Sequence, residues 1–408
     1  MKRLKAFITA LGIFLILSVS IQQFVISTDY PRNENFKYWY SPYKDKSAQA
    51  LESNLDKDTM LIFGSSELGH EKNSKYYVRN MFHKNDLNAM IIGQPYTQDL
   101  NHTTTLAALA PKLKNKKVIL LLSPTWFMGR DVDPGNFSMR FSDSEYVAML
   151  KNPDLSKSLK EKIAKRTLYL LRSDKKAAAR VKAYNRVYLY GSSRLSDRLL
   201  ARYYKNHTEV QERAALFFAE KFQKDPLDLV TDGITKQGLA NDPARNGKPT
   251  VPAGQTPDWS NLKKTAINSS AGHSNNPLNM RDKNWNRTFK DRYKNKKSRD
   301  LHKFTSTDDS KEYGDLELFL QVCQQENIKP LLVIQPVNGY WFDHTGMGPE
   351  KRDAYRQCIK DTAEEYGVQV KDLSKYDYEM GVLSDAVHPW AKGWVILDEI
   401  FYNYYKAD

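Results

Sequence analysis

The sequence predicts an α/β protein: a parallel sheet flanked by helices, with a large, mainly helical insertion and one N-terminal transmembrane helix. Three observations predict it. Five short apolar runs, at residues 60–63, 89–92, 118–122, 331–334 and 368–370, read as buried parallel strands. Helical patterns at 103–113, 316–326, 352–366 and 394–405 lie between or after them, as helices on both faces of a sheet require. Residues 6–28 carry no charge in an otherwise hydrophilic chain.

Composition narrows the function classes. The chain has 408 residues, with 62 Lys and Arg against 48 Asp and Glu, a formal net charge of +14. That length suits two or three domains, or one large one. A hydrophobic share of 40% with 12% aromatics argues against a mainly disordered chain. Two cysteines, Cys323 and Cys358, exclude a disulfide-dense scaffold and a cysteine-rich zinc protein. The sequence does not say whether they pair.

The N-terminus comes first in the chain. Lys2, Arg3 and Lys5 precede the uncharged run, which is long enough to cross a hydrocarbon core as a helix. The basic flank stays cytoplasmic and the rest of the chain lies outside. A cleaved signal peptide is the competing reading, with Ser18-Val19-Ser20 as its small-x-small site. Apolar residues continue through Phe24, Val25 and Ile26, which favours a retained anchor over residues 1–28 and an external domain over 29–408.

The strand–helix alternation breaks in the middle. Residues 142–222 read as basic and helical, and 225–304 as polar and rich in Asn, Lys, Pro and Gly. Both belong to one insertion at about 140–305, between the third and fourth strands; a separate helical domain is the alternative. Within it, Lys294, Lys296, Lys297 and Arg299 cluster with Trp285, Phe289 and Tyr293. Such a mixture reads as a polyanion patch or as a solvated face, and the external topology argues against nucleic acid.

The candidate nucleophile follows the first strand. Leu61-Ile62-Phe63-Gly64-Ser65-Ser66-Glu67-Leu68 places a glycine turn and two serines at the carboxyl edge of the sheet, where open α/β sheets bind ligands. A helix after it adds N–H groups and a positive dipole end for an oxyanion. The spacing to Gly69 is one residue longer than a G-x-S-x-G elbow. The same residues also read as a strand-to-helix turn with a capping serine. A second Gly191-Ser192-Ser193 falls inside the basic helical stretch and is a poor catalytic candidate.

The candidate base comes near the C-terminus. Among eight histidines, His388 alone stands in a suggestive context, Ser384-Asp385-Ala386-Val387-His388-Pro389-Trp390. Asp385 can hold one ring nitrogen while the other faces a serine. Taken alone, the segment is better explained as a helix N-terminal cap with an exposed histidine. A metal pair lacks further ligands at suitable spacing.

Gly-x-Ser after the first strand, with Asp-x-x-His before the last helix, resembles the SGNH hydrolases, which use a flavodoxin-like sheet and the same order of Ser, Asp and His. A closer resemblance is to the DltD family of teichoic acid D-alanyl transfer proteins of Gram-positive bacteria. Phe63-Gly64-Ser65-Ser66-Glu67-Leu68 is similar to its G-S-S-E-L signature, and Ser123-Pro124-Thr125-Trp126-Phe127 to its S-P-x-W-F segment. Asn338-Gly339-Tyr340-Trp341-Phe342-Asp343-His344 resembles its N-G-x-W-x-D-H segment. Ser384-Asp385-Ala386-Val387-His388 with Lys392-Gly393-Trp394 resembles its S-D-A-V-H and K-G-W ending.

The resemblance implies acyl transfer of D-alanine onto teichoic acid outside the cell membrane, without a cofactor or metal. It implies Ser66 as nucleophile, with Asp385 and His388 completing a triad. Gly93 and Ser66 would offer oxyanion N–H groups. The third donor of SGNH enzymes is an asparagine, which is missing at Ser123-Pro124-Thr125-Trp126; Thr125 is the substitute expected there. Trp126, Phe127, Tyr340 and Trp341 are expected to line the pocket, or else to pack the insertion onto the sheet. Implied partners are the teichoic acid polymer, a membrane-embedded acyltransferase and a small membrane peptide. An esterase or thioesterase with the same triad, and a non-enzymatic membrane adaptor, remain alternatives.

Overall fold

The computed structural model describes residues 2–27, 30, 32–33, 35–222 and 248–407. Thr28, at the end of the uncharged run, and the start of the polar stretch at Asp225 lie outside the described residues.

Five parallel strands form one sheet among the described residues: β1 Met60–Phe63, β2 Ala89–Ile92, β3 Lys117–Leu122, β4 Lys329–Ile334 and β5 Gln369–Asp372. Their order is β2-β1-β3-β4-β5, the flavodoxin-like order. Phe63 pairs with Ile92 on one side and with Leu120 on the other. The end of β1 therefore stands where the direction of strand succession reverses, the place where such sheets bind ligands.

Period-two alternation sorts β1 between two cores. Leu61 and Phe63 face a cluster with Leu106, Phe319 and Leu320, from the helices Asp99–Leu109 and Glu312–Gln325. Met60 and Ile62 face another with Trp394, Val395 and Phe401, from the helix Ala391–Lys406. Burial on both faces explains the unbroken apolar runs of the inner strands. β5 differs from the buried strand expected at 368–370. It starts one residue later, lies at the sheet edge and keeps Gln369 and Lys371 exposed.

Helix starts also move. The helix expected at 103–113 begins at Asp99, because Gln98 and Asn101 form a reciprocal capping box ahead of the apolar pattern. Pro349 at the first position starts the helix Pro349–Glu365, a turn before its apolar face.

Between β3 and β4 the described residues contain helices and no strand. Pro134–Arg140 comes first, followed by Asp143–Lys151, Lys157–Leu170, Lys175–Tyr184 and the long helix Leu195–Phe222, then Trp259–Ser270. Met149, Ile163, Leu170, Val181 and Tyr184 share one buried cluster with Phe63 and Leu120 of the sheet. The helix Lys2–Ser27 buries nothing and reaches a mean hydropathy of 2.2, long and apolar enough to cross a membrane, as a signal sequence also would be.

Candidate active site

The chain reverses sharply after β1. Gly64 has no room for a side chain: a Cβ would meet Glu67 Oε1 at 2.6 Å. Ser66 then opens a single 3₁₀ turn, Ser66–Gly69. This corrects the expectation of a full helix with its dipole behind the serine. The turn ends because His70 is extended and Glu71 takes a positive φ of 56°.

Three side chains from opposite ends of the sequence meet there. Ser66 Oγ lies 2.8 Å from His388 Nε2, and His388 Nδ1 lies 2.9 Å from both oxygens of Asp385. Asp385 Oδ1 also accepts the N–H groups of Val387 and His388, each at 3.0 Å. Burial opposes charge on Asp385, but the His388 contact and those two N–H groups outweigh it and hold its pKa below the usual carboxylate value. Burial likewise opposes charge on His388, and Asp385, helped by Glu67, raises its pKa above 6.5. This geometry can draw the proton from a serine hydroxyl and stabilise the resulting imidazolium.

Two neighbours escaped the sequence reading. The His70 ring stacks on His388, with centroids 3.7 Å apart and planes at 7°. Burial and the His388 charge push its pKa down to about 4, so it is neutral near pH 7. Buried Glu67 accepts from Ser65 N–H at 2.8 Å and from Gln335 Nε2 at 3.1 Å, tying the turn to the end of β4. Both lie within four residues of Ser66, and Glu67 stands in the G-S-S-E-L segment; for His70 that nearness was the only signal. The donor atoms of His70, Asp385 and His388 fall within 4.8 Å of one another, the one such cluster among the described residues. Parallel rings do not converge their lone pairs on one ion, and both His388 nitrogens are engaged.

The other expected site residues fare differently. The Gly93 N–H donates to Asp45 Oδ2 at 2.9 Å, so it is not the free oxyanion donor expected. Buried Lys44, bonded to Ile91 O at 2.5 Å, carries the adjacent Asp45 to the end of β2. The Ser66 N–H has no hydrogen-bond partner among the described residues. Thr125 is exposed and its hydroxyl pairs with Ser123 Oγ at 2.9 Å, so no described contact links it to Ser66. Trp126 and Phe127 are buried, against His102 and Tyr313 respectively, and belong to the core rather than to a pocket wall. Trp341 is buried against Phe289, in a small cluster that touches Ala386 and Val387 of the histidine loop. Tyr340 is partly exposed and meets Tyr378 edge-on.

The basic patch separates by side. Trp285 and Phe289 point into that small cluster and Tyr293 stacks on His344, while Lys294, Lys296, Lys297 and Arg299 stay outside. Gly191-Ser192-Ser193 is the turn before the long helix, where Ser192 bonds Asp197. Cys323 and Cys358 are both free.

The sequence matches known proteins over most of its length. It is 27% identical over 348 residues to Protein DltD of Staphylococcus aureus (strain NCTC 8325 / PS 47), covering 85% of this chain and 81% of that one. It is 27% identical over 356 residues to Protein DltD of Bacillus subtilis (strain 168), covering 85% and 82%. With Protein DltD of Lacticaseibacillus rhamnosus the figures are 23% over 363 residues, covering 85% and 77%. A family model described as DltD protein matches residues 35–406, and the chain therefore belongs to the DltD family.

Proposed function

We propose that this protein transfers D-alanyl groups to teichoic acid outside the cytoplasmic membrane, through a covalent intermediate on Ser66. The observation that carries the reading is the unbroken hydrogen-bond chain from Ser66 through His388 to Asp385, in a chain of the DltD family. The helix Lys2–Ser27 is long and apolar enough to cross a membrane, and in this reading it is a retained anchor with the sheet and its insertion on the outer side.

His388 takes the hydroxyl proton as Ser66 Oγ attacks the carbonyl of a D-alanyl ester or thioester. The tetrahedral oxyanion gathers at the Ser66 N–H. Collapse expels the donor's alcohol or thiol, which takes the proton back from His388 and leaves D-alanyl-Ser66. A polymer hydroxyl then attacks that ester. His388 accepts its proton and returns it to Ser66, and the product is D-alanyl-teichoic acid. Membrane partners, a multi-spanning acyltransferase and a small peptide, would supply the donor. With Gly93 tied to Asp45 and Thr125 to Ser123, one main donor serves the oxyanion. Each donor lacking costs about 10²–10³ in rate, on attack by the polymer hydroxyl and on attack by water alike.

The test is the D-alanine ester content of teichoic acid in cells carrying Ser66→Ala, with membrane localisation of the variant measured in parallel. Loss of ester with normal localisation supports transfer through Ser66. Unchanged ester means the protein acts as an adaptor, and raised ester means a hydrolase that trims the modification.

A further inference from the structure

The long helix Leu195–Phe222 carries a surface that neither the sheet nor the triad uses. Leu195, Leu199 and Tyr203 recur at every fourth position and are 70%, 58% and 60% exposed. Arg194, Arg198 and Arg202 line the adjacent stripe, all exposed and without an ion pair among the described residues. The opposite face, with Ala201, Leu216 and Ala219, is buried in the core cluster that includes the sheet. A solvated helix keeps its large apolar side chains inward. A stripe of Leu and Tyr beside a stripe of Arg is the pattern of a helix lying in a membrane interface.

The place of this helix agrees with the pattern. Arg213 donates to the carbonyls of Val25 and Ile26, at 2.5 and 2.7 Å, which are among the unpaired carbonyls that end the N-terminal helix. Glu220 accepts from the Tyr30 hydroxyl at 2.7 Å. Stepping back along the long helix from Glu220 to Arg213 thus retraces the chain from Tyr30 to Ile26 and Val25. The earlier turns, residues 195–203, lie about 15–27 Å farther along the same axis from Arg213, so a helix lying flat at the level of Val25 and Ile26 keeps them at that level.

We propose that residues 195–203 lie in the outer interface of the bilayer, with Leu195, Leu199 and Tyr203 against the acyl chains and Arg194, Arg198 and Arg202 on anionic phospholipid headgroups. The proposal rests on the reading of Lys2–Ser27 as a retained anchor. A single spanning helix leaves the external domain free to swivel. A second contact, on a helix packed into the same core as β1, fixes the height and direction of the Ser66 edge above the membrane.

The test uses the full-length protein carrying Cys358→Ser, reconstituted in phosphatidylcholine vesicles with and without phosphatidylglycerol. A fluorophore is attached in turn at Phe24→Cys, Leu199→Cys and Lys375→Cys, and quenching by nitroxide-labelled lipid is read. The expected result is quenching at positions 24 and 199 and none at 375. Joint replacement Arg194→Glu, Arg198→Glu and Arg202→Glu should weaken the quenching at 199 several-fold in phosphatidylglycerol vesicles, with position 24 unchanged. Quenching at 24 without quenching at 199 overturns the proposal and leaves the anchor standing. No quenching at 24 removes the anchor reading, and the proposal falls with it. Protection of 199 from aqueous iodide without lipid quenching overturns it in favour of a protein surface there. A triple variant that quenches like the parent overturns the headgroup contact.

Discussion

Replacing His70 by alanine tests what the stacked ring does for His388. The two rings lie 3.7 Å apart and nearly parallel. A stacked aromatic pair adds about 0.5–1.5 kcal/mol beyond the area it buries. When His388 takes the Ser66 proton, its positive charge forms against the face of a neutral ring. A cation so placed gains about 0.5–2 kcal/mol, depending on how dry the site is. His70 can play this part because burial and the neighbouring charge keep it neutral down to about pH 4. The stack is present before and during the reaction, so only the cation contact is specific to the acylation transition state; its loss slows labelling roughly 2- to 30-fold. Phenylalanine offers the same flat face and cannot protonate, so His70→Phe should recover most of the rate. The main chain of residue 70 is held by the Glu67 carbonyl at 3.0 Å and by Trp394 Nε1 at 3.2 Å, and both bonds survive either change. The assay is the rate of Ser66 labelling by a fluorophosphonate, followed across pH, with the melting temperature of each variant. Labelling of His70→Ala within about twofold of the parent refutes the argument. So does a His70→Phe protein as slow as His70→Ala.

Other consequences follow from neighbouring contacts. Asp385→Asn keeps an oxygen for the Val387 and His388 N–H groups, so the fold should hold, while labelling of Ser66 falls by about 10⁴ through the wrong His388 tautomer. In the parent, labelling requires neutral His388, whose pKa is raised, so the rate should climb with pH through a midpoint above 6.5. Gly93→Ala would put a Cβ 1.9 Å from the Gly64 carbonyl oxygen at a φ of +153°, and should cost at least about 2 kcal/mol in urea unfolding, with serine labelling lost as the β1 turn shifts. His102 is fully buried between Phe63 and Trp126, and burial lowers its pKa from 6.5 to about 3. The unfolded chain binds this proton first as pH falls, so stability should drop between those two values. His102→Phe should flatten that part of the urea-midpoint profile.

The sheet was legible wherever burial is symmetric. β1 to β4 carry apolar side chains on both faces, and an unbroken apolar run has few other readings. β5 was placed only roughly because an edge strand needs one buried side, and its Gln369 and Lys371 look like loop residues. Ser66, Asp385 and His388 were found because each sits in a local motif, and the fold then closes the distance between them. His70 was not, because its part depends on a ring more than three hundred residues away in sequence. Trp126 and Phe127 show the converse. An aromatic pair after a strand reads the same whether it lines a pocket or fills the core. The short turn Pro124–Trp126 decides the matter by directing both inward. Gly93 was assigned by its place after β2 as an oxyanion donor, whereas the structure uses it for close packing against the Gly64 carbonyl. Its N–H was taken by Asp45, which the sequence shows only as one charge in a charged stretch.

The polar middle of the chain was read by composition because many of the contacts that place it are made with other segments. The Arg281 N–H donates to the Ser384 carbonyl at 3.0 Å, and Asn284 Nδ2 reaches the same oxygen at 2.9 Å. The Arg281 guanidinium pairs with Glu71 at 2.6 Å, next to His70. Asn338 Nδ2 holds the Leu278 carbonyl at 2.8 Å while its own N–H holds Ala386, also at 2.8 Å. The segment that carries Asp385 and His388 is therefore gripped by residues from the insertion and from the end of β4. Such bonds leave no period in the sequence, since each satisfies one carbonyl of a distant loop. They do account for the abundance of Asn there, because its side chain reaches a main-chain oxygen without continuing a helix or strand of its own. The relative height of Ser66 and His388 thus depends on the insertion as well as on the sheet. Changes near residues 278–284 should alter the 2.8 Å contact between them before they alter the fold.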